Sequence, residues 1–341
     1  MSHAVIITMY KKDRKTIELC SKLCELGAEH IVVVNDGLST GDEYFNELIS
    51  IGCHIVTLEK DSGKGTCIKA GAKYAYENIF NLTGFITADA DGEHTAEDIM
   101  KISRALYMRP DNLILGKRDT AKSKMSVGHR IGHKAASAYF KVITGVKCKD
   151  TTTGLRGIPA TLYDIVINTK GKRFEYEMNF LTKCADLKIP FYNVNIVTIE
   201  QLDSESNYRL IKDTFLIYKT PLKFATASVG CTAVDLILFT IFTYILPASL
   251  HWNVALATLM ARVVSGSMNF LINRRVIFEN NNKAKNQVLK FFILFFCIMC
   301  ASTIFVSLLS FIPVPATIIK AIVDLLLWEV NYTVQRKWVF K

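Results

Sequence analysis

Three acidic residues at alternate positions close a short apolar run: Asp89, Asp91 and Glu93. Side chains two residues apart in an extended segment point to the same side, so a strand is expected to end here in a loop crowded with carboxylates. Such a loop needs a counter-charge, and hard oxygen ligands suit Mg²⁺ or Mn²⁺. We therefore expect a divalent metal that carries a diphosphate. The alternative is an acidic turn that only caps a helix, with Thr95 as N-cap and Asp98 as its return partner.

The surrounding elements alternate between strands and helices. Short apolar runs predict five strands, over residues 5–7, 31–34, 55–58, 85–87 and 113–115. Helical spacing of apolar residues predicts helices over 13–26 and 67–76. Alternation of this kind predicts an α/β fold with a mostly parallel, helix-covered sheet.

Polar clusters follow four of these strands, at Asp36, at Gly63-Lys64-Gly65, at Asp89 with Asp91, and at Arg118. Ligands bind beyond the carboxyl ends of parallel strands, so the clusters predict one binding site. The glycines lack the spacing of a P-loop, and no G-x-G-x-x-G follows the first strand. Readings as an ATPase or a dinucleotide dehydrogenase are therefore excluded.

Six motifs in order carry a more specific resemblance over roughly residues 4–213. They are Val34-Asn35-Asp36-Gly37, Gly63-Lys64-Gly65, Ala88-Asp89-Ala90-Asp91-Gly92-Glu93-His94, Gly116-Lys117-Arg118-Asp119, Asp150-Thr-Thr-Thr-Gly154-Leu-Arg156-Gly157 and Arg173-Phe174-Glu175-Tyr176-Glu177-Met178. Together they resemble a family 2 glycosyltransferase with the GT-A fold, a Rossmann-like α/β domain. The branch similar to dolichol-phosphate mannose synthase and its bacterial relatives fits best.

The resemblance implies roles for particular residues. Catalytic roles fall to Asp89, Asp91, Arg118 and Asp150, and metal binding to Asp89, Asp91 and Glu93. The nucleotide sugar would be bound by Thr8, Tyr10, Asp36, Lys64, Gly65, Asp89, Ala90, Asp91 and Glu177. The acceptor phosphate would be bound by Arg118, Arg130, Lys134, Ser137 and Arg209. The sequence departs from the family pattern in two places, at Thr8-Met9-Tyr10-Lys11-Lys12 and at Asn35-Asp36. Both segments belong to the part of the site that would bind the base, so the nucleotide is left open between UDP and GDP.

The expected chemistry follows from the acceptor. A polyprenyl phosphate is already an anion at neutral pH, so it needs cationic positioning by Arg and Lys and little or no general base. A metal would neutralise the leaving nucleoside diphosphate. Direct in-line attack would invert the anomeric carbon. For Glu177, a helix residue bonding neighbouring backbone is an alternative to a sugar contact.

The second half of the chain is apolar from Leu222 onward. Four spans of about the twenty residues that a bilayer core requires are expected at 222–246, 253–273, 288–312 and 314–334. The predicted organisation is a transferase domain at 1–203, an interfacial or docking helix at 204–221, and an all-α membrane domain at 222–341. The net charge of +10 would suit nucleic acid or an anionic membrane, and the apolar spans favour the membrane. Lys and Arg flank one side of the spans, which predicts that the catalytic domain and both termini are cytoplasmic. The resemblance to the bacterial transferases implies a multi-pass protein of a bacterial cytoplasmic membrane.

The membrane half repeats internally. Leu222-Lys223-Phe224 returns as Leu289-Lys290-Phe291, and Asn269-Phe270-x-x-Asn273-Arg274-Arg275 returns as Asn331-Tyr332-x-x-Gln335-Arg336-Lys337. This resembles the GtrA-type four-helix domain, a family associated with moving lipid-linked sugars across membranes. Charges inside the spans are costly unless paired, so we expect a polar cluster of Asp235, Arg262, Lys320 and Asp324 facing the bundle interior. The repeat places Arg262 and Asp324 at equivalent positions, so the two can meet if the two copies pack about a pseudo-two-fold axis. We favour a structural ion pair that fixes helix order over a path for a lipid phosphate.

The sequence therefore predicts a membrane-bound, metal-dependent, inverting transferase using a UDP- or GDP-sugar and a polyprenyl phosphate of the undecaprenyl type. One rival is a processive polysaccharide synthase, whose further Gln/Arg-x-x-Arg-Trp signature is absent from the sequence. Another is a lipid-linked sugar flippase with a degenerate, ligand-sensing transferase domain. The sugar, the lipid length, product translocation and homo-oligomerisation are left open.

Overall fold

The computed structural model describes residues 2–41, 43–118, 136–138, 140–141, 144–197, 210–246, 253–277, 284–309 and 316–340, without the side chains of 210–221 and of some later helical positions. The chain divides into two units, Met1–Ile217 and Tyr218–Lys341.

The first unit is built on one seven-stranded sheet with the order β3-β2-β1-β4-β6-β5-β7. Its strands are β1 Ser2–Met9, β2 His30–Asn35, β3 His54–Thr57, β4 Leu82–Asp89, β5 Leu113–Arg118, β6 Arg156–Pro159 and β7 Phe191–Ile196. Within this sheet β6 alone runs antiparallel, against β4 and β5. The predicted α/β fold class with a mostly parallel sheet is confirmed, and all five predicted strands are present.

Two strands were not predicted, and each has a physical reason. The four residues of β6 include a glycine and a proline, which weaken the usual strand signal. In β7, polar Asn193 and Asn195 separate the apolar residues of a strand whose side chains are mostly only partly buried.

Among the residues described in the first unit, 136–138, 140–141 and 144 are helical, and six further α-helices pack with this sheet. They are α1 Arg14–Glu25, α2 Glu43–Ile51, α3 Lys64–Asn78, α4 Ala96–Met108, α5 Tyr163–Asn168 and α6 Glu175–Asp186. Alternate residues of β1 enter two separate cores, Ala4 and Ile6 in one and Val5, Ile7 and Met9 in the other. The sheet is therefore buried on both faces, as parallel sheets usually are.

The start of α4 follows the sequence prediction only in part. The Thr95 side chain accepts a hydrogen bond from the Asp98 backbone N–H at 3.1 Å, as an N-cap does. The expected return contact is wrong, because the Asp98 carboxylate accepts from Lys101 Nζ at 2.6 Å and from the Val197 N–H at 2.8 Å. Asp98 thus ties α4 to the end of β7.

The second unit is helical over its described residues. Its α-helices are α7 Leu210–Ile245, α8 Asn253–Ile272, α9 Ala284–Leu309 and α10 Ala316–Val334. Because α7 is continuous from Leu210, the expected boundary at 221/222 coincides with no break in the helix. Among the described residues, one segment, Leu222–Phe242, is long and apolar enough to cross a bilayer, and Asn286–Ile298 is a shorter apolar helix.

The internal repeat is visible in the backbone. Short π-helices follow α8 and α10 at equivalent places, Asn273–Ile277 and Gln335–Val339. Their first residues are equivalent in the repeat and touch, since Asn273 Nδ2 donates to Gln335 Oε1 at 2.9 Å. Both residues are buried. Equivalent positions of the two copies of the repeat, α7 with α8 and α9 with α10, therefore do meet inside this unit.

One member of the predicted intramembrane cluster is placed. Asp235 Oδ1 accepts a hydrogen bond from Ser265 Oγ at 2.7 Å, which joins α7 to α8. The side chains of Arg262, Lys320 and Asp324 lie outside the described residues, so their pairing stays a prediction.

Candidate active site at the carboxyl edge of the sheet

The predicted acidic loop begins at the end of β4, the central strand of the sheet. Asp89 is the last residue of β4, and its Cα pairs with that of Thr8 near the end of β1. On the other side of β1, Thr8 pairs with Val34, and Asp36 follows the end of β2. Because β1, β2 and β4 run parallel, these ends lie on one edge of the sheet, as the sequence predicts.

Lys64 is the centre of the charged groups at this edge. Its Nζ lies 2.8 Å from Asp89 Oδ1 and 3.0 Å from Asp89 Oδ2. It also lies 3.2 Å from Glu177 Oε1. Helix α3 begins at Lys64, three residues before the predicted start, so this lysine projects from a first helical turn and not from a loop. The Glu177 carboxylate faces Lys64, and its contact with a sugar stays a prediction.

The electrostatics of this centre are strong. Burial disfavours the charged ammonium, but Asp89 and Glu177 outweigh it and raise the pKa of Lys64. Burial likewise disfavours the Asp89 carboxylate, but Lys64 and then His94 hold the pKa of Asp89 well below its usual range. His94 Nε2 is 3.4 Å from Asp89 Oδ2, and the His94 side chain is 1% exposed. Both members of the Lys64–Asp89 pair are therefore ionised at neutral pH.

Among the residues that the structure describes, no lysine or arginine forms an ion pair with Asp91 or Glu93. Burial and then the negative charge of Asp89 raise the pKa of Asp91, and burial followed by Asp91 and Asp89 raises the pKa of Glu93. Asp91 Oδ1 accepts a hydrogen bond from the Glu93 N–H at 3.0 Å, which shapes the loop. Counting the described side chains alone, this part of the edge carries an excess of negative charge that a cation would relieve.

The carboxylates of the acidic loop fit a divalent metal only as an open site that a diphosphate completes. No group of three or more His, Cys, Asp or Glu side chains is close enough to hold a metal among the residues with described positions, so Asp89, Asp91 and Glu93 do not form a closed triad. Mg²⁺ is usually held by one or two carboxylates together with substrate phosphates and water. Carboxylates at Asp89 and Asp91 fit such an open site, completed by a diphosphate.

Arg118, at the end of β5, is held by Asp150. Arg118 Nε donates to Asp150 Oδ2 at 2.8 Å and Nη2 donates to Asp150 Oδ1 at 3.0 Å, with a further bond from Nη2 to Thr152 Oγ1 at 2.8 Å. Burial lowers the pKa of Arg118, but Asp150 outweighs it and raises the pKa overall. Asp150 is 4% exposed. The carboxylate of Asp150 is therefore used in orienting Arg118.

The loop 150–154 joins the two ion pairs. At its far end Gly154 lies against Asp89 and Lys64: a Cβ built on it would overlap the Asp89 carboxylate and lie 2.8 Å from Lys64 Nζ. Beneath the loop, buried Arg156 donates to the carbonyl of Thr153 at 3.0 Å and to that of Glu177 at 2.9 Å. One loop thus sets the position of both Arg118 and the Lys64–Asp89 pair.

The residues predicted to bind the nucleotide sugar lie around the same edge. Asp36 Oδ1 and Oδ2 accept from the N–H groups of Ser62 and Gly63 at 2.7 and 3.0 Å, so its carboxylate shapes the turn into α3. Gly65 is required by packing, because its Cβ would lie 2.5 Å from Tyr176 Cβ. A small cleft is lined by residues that include Tyr10, Ala90 and Asp91. Nucleoside contacts through Asp36 and Thr8 stay a prediction.

Of the predicted phosphate-binding residues, the structure places Arg118 and Ser137. Ser137 is half-buried beside Ala136, which belongs to one of the two cores. Arg130, Lys134 and Arg209 lie outside the described residues. No contact of Ser137 with Arg118 is seen, and its role stays a prediction.

Three residues of this edge had no role in the sequence prediction: His94, Gly154 and Arg156. All three lie within the motifs quoted above, and this was the one sign in the sequence that they belong to the site. Gly154 lies against Asp89 and Lys64, and Arg156 donates to the Glu177 carbonyl, so these contacts join atoms remote in the chain that the motifs by themselves do not reveal.

Comparison with known proteins finds a family match for the second unit. Residues 223–340 match the family described as GtrA/DPMS, transmembrane domain. An uncharacterised protein of Methanocaldococcus jannaschii is 25% identical over 201 residues, which cover 57% of this chain and 80% of that protein.

Among solved structures, glucosyl-3-phosphoglycerate synthase from Mycobacterium tuberculosis with uridine diphosphate aligns at a TM-score of 0.49 and 12% identity, over 63% of this chain and 77% of that one. The same enzyme with Mn²⁺, UDP-glucose and phosphoglyceric acid aligns at 0.49 and 10%, over 64% and 79%. These likenesses are too distant to carry an activity to this chain.

The family match agrees with the GtrA-like resemblance of the repeated, apolar half of the chain. The mostly parallel sheet of the first unit agrees with the GT-A fold that the motifs imply. Residues 223–340 of the protein thus match a GtrA/DPMS transmembrane domain, which follows an α/β domain in the sequence.

Proposed function

We propose that the protein is a membrane-bound inverting glycosyltransferase that moves a sugar from a nucleoside-diphosphate sugar to a polyprenyl phosphate. The observation that carries the proposal is the grouping of Lys64, Asp89 and Glu177 at one sheet edge. The loop 150–154 connects this group to the Arg118–Asp150 pair, because Asp150 is at one end of the loop and Gly154 at the other. The GtrA/DPMS transmembrane domain on the same chain supports a lipid substrate.

The donor would lie over the acidic loop. Asp89 and Asp91 would hold Mg²⁺ or Mn²⁺, which neutralises the leaving diphosphate when bound. Lys64 supplies a second positive charge at the same place, and Glu177 beside it is available to a sugar hydroxyl. Tyr10 and Ala90 would border the nucleotide, which we assign to the uridine or guanosine class.

The acceptor needs a cation and no base. Arg118 presents a guanidinium oriented by Asp150 and Thr152, and such a planar donor set suits a phosphate monoester. Asp150 is buried and bonded to Arg118, so it acts as a positioning residue and not as a general base. The phosphate oxygen would attack the anomeric carbon directly, forming the new C–O bond as the bond to the nucleoside diphosphate breaks. A single displacement inverts the configuration.

The membrane unit would hold the active site at the bilayer surface and help the product to cross. The basic residues Arg274, Arg275, Arg336 and Lys337 follow α8 and α10 at equivalent places, in the two π-helices. Under the positive-inside rule these ends face the cytoplasm, which would place the catalytic unit and both termini there. We propose a bacterial cytoplasmic membrane as the location.

The proposal is tested with purified full-length protein in detergent. Sugar nucleotides of the UDP and GDP classes are offered with undecaprenyl phosphate, and the lipid product is identified by mass spectrometry. We expect a single polyprenyl-phosphate sugar of inverted configuration. Undecaprenol serves as the matched acceptor without a phosphate, and its equal use would contradict the role of Arg118.

The result also separates the rival functions. A long polymer on one acceptor would favour a processive synthase. Sugar-nucleotide binding with no turnover of any donor would favour a flippase that carries a sensing domain.

A further inference from the structure

The Lys64 ammonium lies across both oxygens of Asp89, at 2.8 and 3.0 Å. These are the oxygens that a metal bound to Asp89 would use. The side chains of Lys64 and Asp89 are 13% and 18% exposed, so little water screens their attraction. A divalent cation that reaches Asp89 therefore meets a carboxylate whose charge Lys64 already neutralises.

We propose that Lys64 is the resting counter-ion of Asp89, and that it moves to the diphosphate when a nucleoside diphosphate and a divalent cation bind together. This inference rests on the proposed function, because it requires a nucleoside diphosphate at the acidic loop. Lys64 remains a cation throughout, so the exchange is one of partners and not of protons.

The surroundings of Lys64 suit such an exchange. A lysine has a flexible four-carbon stem and three donors, so its charge can move while the helix stays in place. Glu177 Oε1, 3.2 Å from Nζ, remains as a second partner during the movement. Diphosphate oxygens form charge-assisted hydrogen bonds with an ammonium, which replace those that Asp89 provided.

The exchange has a thermodynamic consequence. A metal alone must displace Lys64 without offering it a new anion, so it should bind weakly. A nucleoside diphosphate attracts the ammonium and frees Asp89, so it should strengthen metal binding. Coupling between two ligands is reciprocal, so the metal should strengthen nucleotide binding by the same factor. A metal that merely bridges protein and diphosphate would give coupling that does not depend on Lys64.

The test measures the affinity of the full-length protein for MnCl₂ by calorimetry, and free Mn²⁺ by electron paramagnetic resonance, with and without UDP or GDP. Lys64→Met and Lys64→Gln remove the charge, and the glutamine retains a hydrogen-bond donor for Asp89 if the methionine variant does not fold. We expect both to bind Mn²⁺ alone at least about tenfold more tightly than the wild type, or about 1.4 kcal/mol. The effect of UDP on Mn²⁺ affinity should shrink by a similar factor.

Two controls accompany these variants. Lys64→Arg keeps a cation on Asp89, so its affinity for Mn²⁺ alone should be no tighter than that of the wild type. Lys73→Met removes an exposed lysine of the same helix, whose Nζ is 3.9 Å from Glu77, and should change neither affinity nor coupling.

The outcomes separate the two proposals. If Lys64→Met or Lys64→Gln folds and binds Mn²⁺ as weakly as the wild type, with an undiminished effect of UDP, Lys64 is not the competing cation and the inference is wrong. The transferase reaction would then stand unaffected. If the wild type binds neither UDP nor GDP, the proposed function fails, and the inference fails with it.

Discussion

Replacing Gly154 by alanine tests whether the Lys64–Asp89 pair must stay where the structure places it. An added Cβ would overlap the Asp89 carboxylate, lying 3.1 Å from its Cγ and 2.8 Å from Lys64 Nζ. Ordinary contacts between carbon atoms lie at about 3.5–4.0 Å, so relief of the overlap requires a movement on the order of 1 Å. Asp89 has a short side chain at the end of a central strand, so the carboxylate must turn or the loop 150–154 must withdraw.

The expected cost is larger for activity than for stability. A misplacement of about 1 Å at a reacting centre costs roughly a hundredfold in rate. Overpacking a buried site by one methyl group costs about 1–3 kcal/mol. We therefore expect Gly154→Ala to fold, to lose about 1–3 kcal/mol in its free energy of unfolding, and to lose roughly a hundredfold in kcat/KM for the nucleotide sugar.

The assay pairs steady-state sugar transfer to undecaprenyl phosphate with denaturation followed by fluorescence. Gly157→Ala is the matched control, because its Cβ would meet apolar atoms, 2.9 Å from Ile102 Cγ2 and 3.1 Å from Ile114 Cβ. It should lose stability and keep its turnover. Gly230→Ala meets nothing within 4 Å and should lose neither. Wild-type turnover in Gly154→Ala, or an equal loss of turnover in Gly157→Ala, would refute the reasoning.

Three further predictions follow from other contacts. Asp91→Asn should abolish transfer, and EDTA should do the same to the wild type until Mn²⁺ or Mg²⁺ is restored; full activity in EDTA would exclude the metal role. Asp150→Asn should raise KM for undecaprenyl phosphate more than it lowers kcat, because it loosens Arg118 and removes no base; a kinetic pH profile that loses its acidic limb would instead identify Asp150 as a base. Asn273→Leu should cost about 1–3 kcal/mol of unfolding free energy in detergent by leaving the buried Gln335 oxygen unpaired, and a second change, Gln335→Leu, should recover part of it. If the double variant regains no stability, the lost free energy of unfolding comes from the contacts of the neighbouring amides and not from the unpaired Gln335 oxygen.

Much of the fold was predictable from local pattern. Apolar runs alternating with helical spacing located five strands and the first helix, because parallel strands buried on both faces read as continuous apolar segments. The polar clusters were expected at one edge of the sheet, because the carboxyl ends of parallel strands lie together at that edge. The repeat in the second half anticipated that Asn273 and Gln335 occupy equivalent places.

The sequence by itself determined the fold class, the edge that carries the acids, and the division into a soluble-looking and an apolar half. These follow from periodicity and composition, which act over a few neighbouring residues. Only the tertiary structure decided which charges neutralise one another: Lys64 with Asp89 and Glu177, and Arg118 with Asp150. An ion pair depends on distances of a few ångströms between groups far apart in the chain, and chain folding sets those distances. The partner of each charge, and with it the difference between a ligand and a positioning residue, is therefore a property of the folded molecule.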